Sequence, residues 1–126
     1  MEEIKVGYFI RTNKGIIGKL KRIELDEIDK NLKWYVFDKK RPDMNIVDEI
    51  YINKPYITKY SKNIIDLIEC GDYVNAYRID NIVDGVLVNN AVGIDRSGVL
   101  TPIVQYEQDI KTILTKEQFE QNSYKV

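Results

Sequence analysis

The stretch YINKPYITKYSK, residues 51–62, interleaves Tyr51, Tyr56 and Tyr60 with Lys54, Lys59 and Lys62. A tyrosine ring is a rigid amphipathic surface that loses little entropy when immobilised, which suits it to recognition. The chemistry this spacing allows is non-covalent, and Tyr51, Lys54, Tyr56, Lys59 and Tyr60 are the candidate binding residues. A second set, Arg11, Lys14, Lys19, Lys21 and Arg22, surrounds the first predicted hairpin, with Tyr8 and Phe9 close by in sequence. Basic residues mixed with aromatics on a small barrel of the SH3 or OB kind could follow a nucleic-acid backbone. Glu24, Asp26 and Glu27 come directly after them, however, and a solvated, charge-balanced hairpin is the plainer expectation.

Covalent chemistry finds little to work with. The chain has no histidine, so the usual acid/base group near neutral pH is missing. Its one cysteine, Cys70, allows neither an internal disulfide nor a cysteine zinc site. Cys70 follows a predicted helix, the wrong end to stabilise a thiolate, and is expected to be a buried small hydrophobe. A carboxylate-bound Mg²⁺ of the restriction-nuclease kind needs an Asp followed by an acidic-x-Lys on the next strand. Asp43 has no such partner, since Lys54 stands too far from Glu49. The glycines are scattered, with no phosphate-cradling loop. The expectation is a protein that is not an enzyme and uses no cofactor or metal.

The elements that must position these residues read as strands. The chain has 126 residues, 44% of them hydrophobic and 31% charged, with a net charge of −1. No global positive field draws in nucleic acid. Nine tyrosines and frequent Ile and Val favour sheets. Alternation predicts strands over 4–10 and 16–23, joined by a TNKG turn at 12–15. Gly18 interrupts the second, marking a bulge or a close backbone approach. Residues 32–39 place Leu32, Trp34 and Val36 on one face and Tyr35 and Phe37 on the other, as in a strand that is central or at an interface. A loop at 40–45 leads to a strand at 46–52. Ser61 as N-cap and an Ile/Leu stripe predict a short helix over 61–69. Strands are then expected at 72–79, 86–92, 99–106 and 109–114, with turns at Asp84-Gly85 and 95–98. Pro102 makes the third of these an edge. Thr115 and Gln118 have capping-box spacing, predicting a helix over 115–121.

The fold class expected is mainly β: antiparallel sheets in small SH3-like barrel-type units with two short helices, about 61–69 and 115–121. The chain reads as one domain, 1–126. Aligning Gly7 with Gly71 pairs Val6 with Cys70, Tyr8 with Asp72, Phe9 with Tyr73 and Ile10 with Val74. Two independent uses of a common strand opening is the plainer account. Two related β sub-units, about 1–58 and 64–126, is the sharper one.

YSKNIIDLIECGDYVNAYRI (60–79), DIKTILTKEQFEQNSYKV (109–126) and IKVGYFIRTNKGIIGKL (4–20) together resemble a family of small uncharacterised proteins of phages and prophages in low-GC Gram-positive bacteria. Residues 24–59 and 80–108 lie outside the likeness. In that family a small aliphatic residue is usual at position 70, which implies packing, and glycine is commoner at position 76, which implies a different turn there. The resemblance implies a phage accessory protein in the host cytoplasm. No apolar run is long enough for a membrane span or signal peptide, which fits that compartment. The expected function is protein binding that inhibits a host defence system, such as a CRISPR effector. The alternatives are a sponge for a small signalling nucleotide, with a pocket at an oligomer interface such as a homodimer's, and a nucleic-acid-binding accessory protein.

Overall fold

Gly7 and Gly71 do the same thing in two places. In the computed structural model, which describes residues 3–41, 46–94, 98 and 100–122, the Tyr8 amide donates to the Lys5 carbonyl and the Asp72 amide to that of Glu69 (3.0 and 3.1 Å). Each turn has a glycine at its third position, with φ of 95° and 96°, a conformation that side-chain-bearing residues resist. Gly7 N–H then donates to Leu20 O while Leu20 N–H donates to Tyr8 O; Gly71 and Asp72 bond Ile79 in the same way. Two residues thus face one, a glycine-led bulge that starts a hairpin with added twist. The shared phrase encodes a corner. Its second residue points outward in both copies: Val6 is 58% exposed, and Cys70 is exposed too. Cys70 is therefore not the buried hydrophobe expected, because the turn lifts it off the core. The corner also delays the first strand, which begins at Phe9 rather than at Ile4.

The chain divides into two compact units, Met1–Leu67 and Ile68–Val126. Unit 1 is an antiparallel sheet of β1 (Phe9–Thr12), β2 (Ile17–Leu25), β3 (Lys33–Arg41), β4 (Ile46–Ile52) and β5 (Ile57–Ser61), in the order β4-β3-β2-β1-β5. A 3₁₀ turn, Lys54–Tyr56, carries Pro55 and joins the two edge strands. Those edges do not pair, so the sheet does not close into a barrel. β2 is the middle strand, and β3 is an interior strand between β2 and the edge strand β4. Ile10, Leu20, Tyr35 and Phe37 form the core on one face, with Ile4 beside them. Gly18 is a close approach: a Cβ there would meet the Phe37 ring. The bulge lies three residues further on, where Lys21 is extra between the Leu20↔Phe37 and Arg22↔Val36 pairs.

The helix expected over 61–69 is one 3₁₀ turn, Ile64–Leu67. Ser61 ends β5, and its hydroxyl accepts from the Asn63 amide and donates to Asp66 Oδ2 (3.1 and 2.6 Å). The Glu69 corner comes too soon for an α-helix to form.

Unit 2 holds two three-stranded antiparallel sheets. One has β6 (Tyr73–Val74), β7 (Tyr77–Arg78) and β11 (Ile113–Leu114) in the order β11-β6-β7. The other has β8 (Asn81–Val83), β9 (Val86–Ile94) and β10 (Leu100–Gln105) in the order β10-β9-β8. β10 is an edge with an irregularity after Pro102, and Asp84-Gly85, both at positive φ, form the β8–β9 turn. Two expected strands are shorter than drawn. Residues 109–114 pair only at 113–114, after a 3₁₀ turn, Glu107–Asp109. Residues 72–79 fold back at Asn75 (φ 52°) and Ala76 (φ 70°) into a tight hairpin. Most of the turn at 95–98 and of the loop at 40–45 falls outside the described residues. Helix α1 (Lys116–Asn122) has the predicted reciprocal cap: Gln118 N–H donates to Thr115 Oγ1, and Thr115 N–H to Gln118 Oε1. Buried Asp72 accepts from the Lys116 amide (2.9 Å) and the Glu69 amide (2.7 Å), tying the second corner to this helix. No described helix is long and apolar enough to cross a membrane.

Ala76 occupies a left-handed conformation that glycine adopts without penalty. Ala76→Gly is expected to raise stability by about 1 kcal/mol, read as a higher urea midpoint at unchanged slope.

Candidate functional site: an aromatic cleft with an acidic rim

The bulge at Lys21 turns two consecutive basic side chains toward one carboxylate. Arg22 Nη1 and Nη2 grip Glu49 Oε2 and Oε1 in a fork (2.6 and 3.1 Å), and Nη2 also reaches Tyr51 Oη (2.7 Å). Arg22 Nε donates to Glu24 Oε1 (2.5 Å). Lys21 bridges Asp38 (2.9 Å) and Glu49. These hydrogen bonds from Arg22 and Lys21 hold the Glu49 carboxyl down to about 2, and those from Glu49 and Glu24 raise the guanidinium of Arg22. The side chains are about a third exposed or more, so the network adds little stability. Its effect is geometric: the guanidinium lies 5.7 Å from the centre of the Tyr51 ring and holds it in place.

Tyr51 is one wall of a cleft of about 300 Å³ between the end of β2, the following loop and Trp34. The loop is rigid for a local reason. Asp26 Oδ1 accepts the amides of Ile28 and Asp29 (2.9 and 3.0 Å), and Oδ2 accepts the Trp34 indole N–H (3.0 Å). The bonds from Asp29, Trp34 and Ile28 push the Asp26 carboxyl below its usual range, so it is ionised. Asp29 repeats the device on the Asn31 amide. Leu25 and Ile28 complete the apolar lining, and Glu24 and Glu27 the acidic rim. Ile28 is 96% exposed.

The predicted Tyr/Lys set does not gather on one surface. Tyr51 faces this cleft. Tyr60 is on the opposite sheet face, across from Ile10 and stacked on Tyr8 at 6.5 Å, with Lys62 over the Tyr8 ring. Tyr56 is half-exposed in the 3₁₀ turn, where its carbonyl accepts the Asn13 amide. Lys59 lies opposite Arg11 in β5. Lys54 lines a second cleft, about 330 Å³, with Lys33, Tyr35 and Pro55.

The basic set disperses as well. Arg11 is fully buried and donates to the Leu67 carbonyl (3.0 Å), so it cannot reach a phosphate. Lys21 and Arg22 are engaged by three carboxylates. Lys14 and Lys19 are exposed, with Lys19 over the Phe9 ring. Among the described residues no group of three or more Cys, Asp or Glu is placed to hold a metal. Unit 2 has an apolar cleft of about 320 Å³, whose main features are Tyr73 and Phe119 stacked at 5.0 Å.

The sequence pattern does not mark Trp34 and the 24–28 segment as a site, since the acidic residues there read as the charge balance of a solvated hairpin. The signal available was turn chemistry: aspartates at 26 and 29 fix a loop through their own side chains, and a fixed loop beside a tryptophan makes a wall. No family model, curated protein or solved structure matches the chain, so the likeness to phage proteins rests on residues 4–20, 60–79 and 109–126 alone.

Proposed function

We propose that this chain is a non-catalytic protein-binding module that docks its partner on the cleft of Trp34, Tyr51, Leu25 and Ile28. The observation that carries this is an isoleucine 96% exposed beside Leu25 at 57% and Tyr51 at 45%. Contiguous apolar surface of this kind, centred on a tryptophan and a tyrosine, is what binding sites expose. A rigid wall also lowers the entropic cost of association. The SH3-like part of the reading is supported by the strand order β4-β3-β2-β1-β5 with a 3₁₀ turn between β4 and β5. The phage likeness favours a bacterial host protein as partner, a defence effector such as a CRISPR enzyme being the class expected. Capture of a small signalling nucleotide ranks second, favoured by Lys33 and Lys54 flanking the Tyr35 cleft. Nucleic-acid binding ranks below both, because Arg11 is buried and Lys21 and Arg22 are paired.

Because Ile28 projects into solvent, Ile28→Asp leaves the fold intact. Affinity capture from host lysate is expected to recover a stoichiometric protein with the wild type, and at least about tenfold less with Ile28→Asp, the loss of one anchoring side chain. Equal recovery by both, or recovery by neither, overturns the proposal.

A further inference from the structure

We infer that the segment entering the Trp34 cleft is basic, an arginine or lysine flanked by aliphatic residues. This deepens the docking reading above and rests on it. The cleft combines two kinds of surface. The indole of Trp34, the ring of Tyr51 and the side chains of Leu25 and Ile28 are apolar walls; Glu24, Asp26 and Glu27 are carboxylates at their edge. A long cationic side chain matches both at once, its methylene stem lying along the wall and its charged head meeting the rim. Aromatic faces add attraction for the same cation.

The charge is local and is held in place. Residues 24–31 carry four carboxylates against one lysine, a density hidden by the near-neutral whole. Asp26 cannot turn away, since two amides and the indole hold it. Of the neighbouring cations, Arg22 offsets Glu24 while Lys21 is taken up by Asp38 and Glu49, so the rim's charge rests on Asp26 and Glu27. An anionic ligand would meet repulsion here. A neutral apolar segment would strip water from carboxylates and give nothing back.

The chain has one tryptophan, so a protein labelled at the indole nitrogen shows a single cross-peak that reports on the cleft. The full-length protein is titrated with two short peptides of identical leucine pattern, one carrying arginines and the other glutamines at the same places. The arginine peptide is expected to move the Trp34 peak and to bind about tenfold tighter, with the difference shrinking as salt rises. Glu27→Gln is expected to weaken the arginine peptide about threefold and leave the glutamine peptide unchanged. Equal binding of the two peptides overturns the basic-segment inference and leaves the docking reading standing. A shift of the same peak by a DNA oligonucleotide also overturns it. If neither peptide moves the peak, the inference fails; the docking reading then fails with it only if partner capture is also indifferent to Ile28→Asp.

Discussion

Gly18→Ala is expected to destabilise unit 1 by about 3 kcal/mol, the upper range for overpacking a filled core. The added Cβ would strike the edge of the Phe37 ring, with Cγ and Cε2 both 2.8 Å away. That ring has nowhere to go. Phe37 is fully buried and pairs across from Leu20 and Ile50, on the face that also carries Ile10 and Tyr35. The backbone cannot yield easily either, since β2 is hydrogen-bonded to strands on both sides. Chemical unfolding of the full chain gives the loss. Phe37→Leu removes the ring edge, so the double variant is expected to be more stable than Gly18→Ala alone. Additive losses in the double variant would show that the clash is not the cause.

Asn75→Ala is expected to destabilise unit 2 by a comparable amount, about 3 kcal/mol, from lost hydrogen bonds and a left-handed alanine together. The Asn75 carboxamide uses its whole bonding capacity. Its oxygen accepts the amides of Lys111 and Thr112 (2.8 and 3.0 Å), and its nitrogen donates to Gln105 Oε1 and the Asp109 carbonyl (2.6 and 2.7 Å). Gln105, itself buried, passes the connection on to the Val74 carbonyl. One side chain thus joins the β6–β7 turn to the end of β10 and to the segment leading into β11. Asn75→Gly keeps the backbone relaxed and loses only the bonds, so it is expected to be about 1 kcal/mol less damaging than alanine. Equal midpoints for the two variants would remove strain from the account.

Gly18 and Asn75 differ in how far their roles can be read from the sequence. Gly18 is visible as a break in the pattern of β2, because a missing side chain inside a strand implies that something comes close. Which ring comes close is a matter of register, and register is not local. Asn75 is invisible to periodicity: DYVNAYRI alternates well enough to pass for one strand, and only two consecutive positive φ values divide it. The turns TNKG and Asp84-Gly85, the extent of β4 and the Thr115/Gln118 cap are legible because their causes lie within a few residues. The burial of Arg11 is not, since it depends on Leu67 coming beside β1. The candidate site obeys the same rule. Tyr51 stands out by composition, and the structure places it in a wall of the cleft. Trp34 and Asp26 enter only when β2 and β3 are paired and the loop between them is held by aspartate oxygens. Lys54, Tyr56, Lys59 and Tyr60 are neighbours in sequence, but alternation and the 3₁₀ turn send them in different directions.

The two corners at Gly7 and Gly71 share their hydrogen bonds and differ in the side chain placed just after the glycine. Tyr8 in the first joins a ring stack with Tyr60; Asp72 in the second anchors a helix. One backbone device thus serves two units with different side-chain duties, and only the first unit has a cleft with exposed aliphatic residues around a tryptophan.

The most direct test is the Trp34 indole cross-peak of the labelled chain in complex with the protein captured from host lysate. Binding through the cleft predicts that this peak moves or broadens as the partner saturates the chain, and that Ile28→Asp abolishes the change. A peak that stays in place while the complex forms would contradict the account.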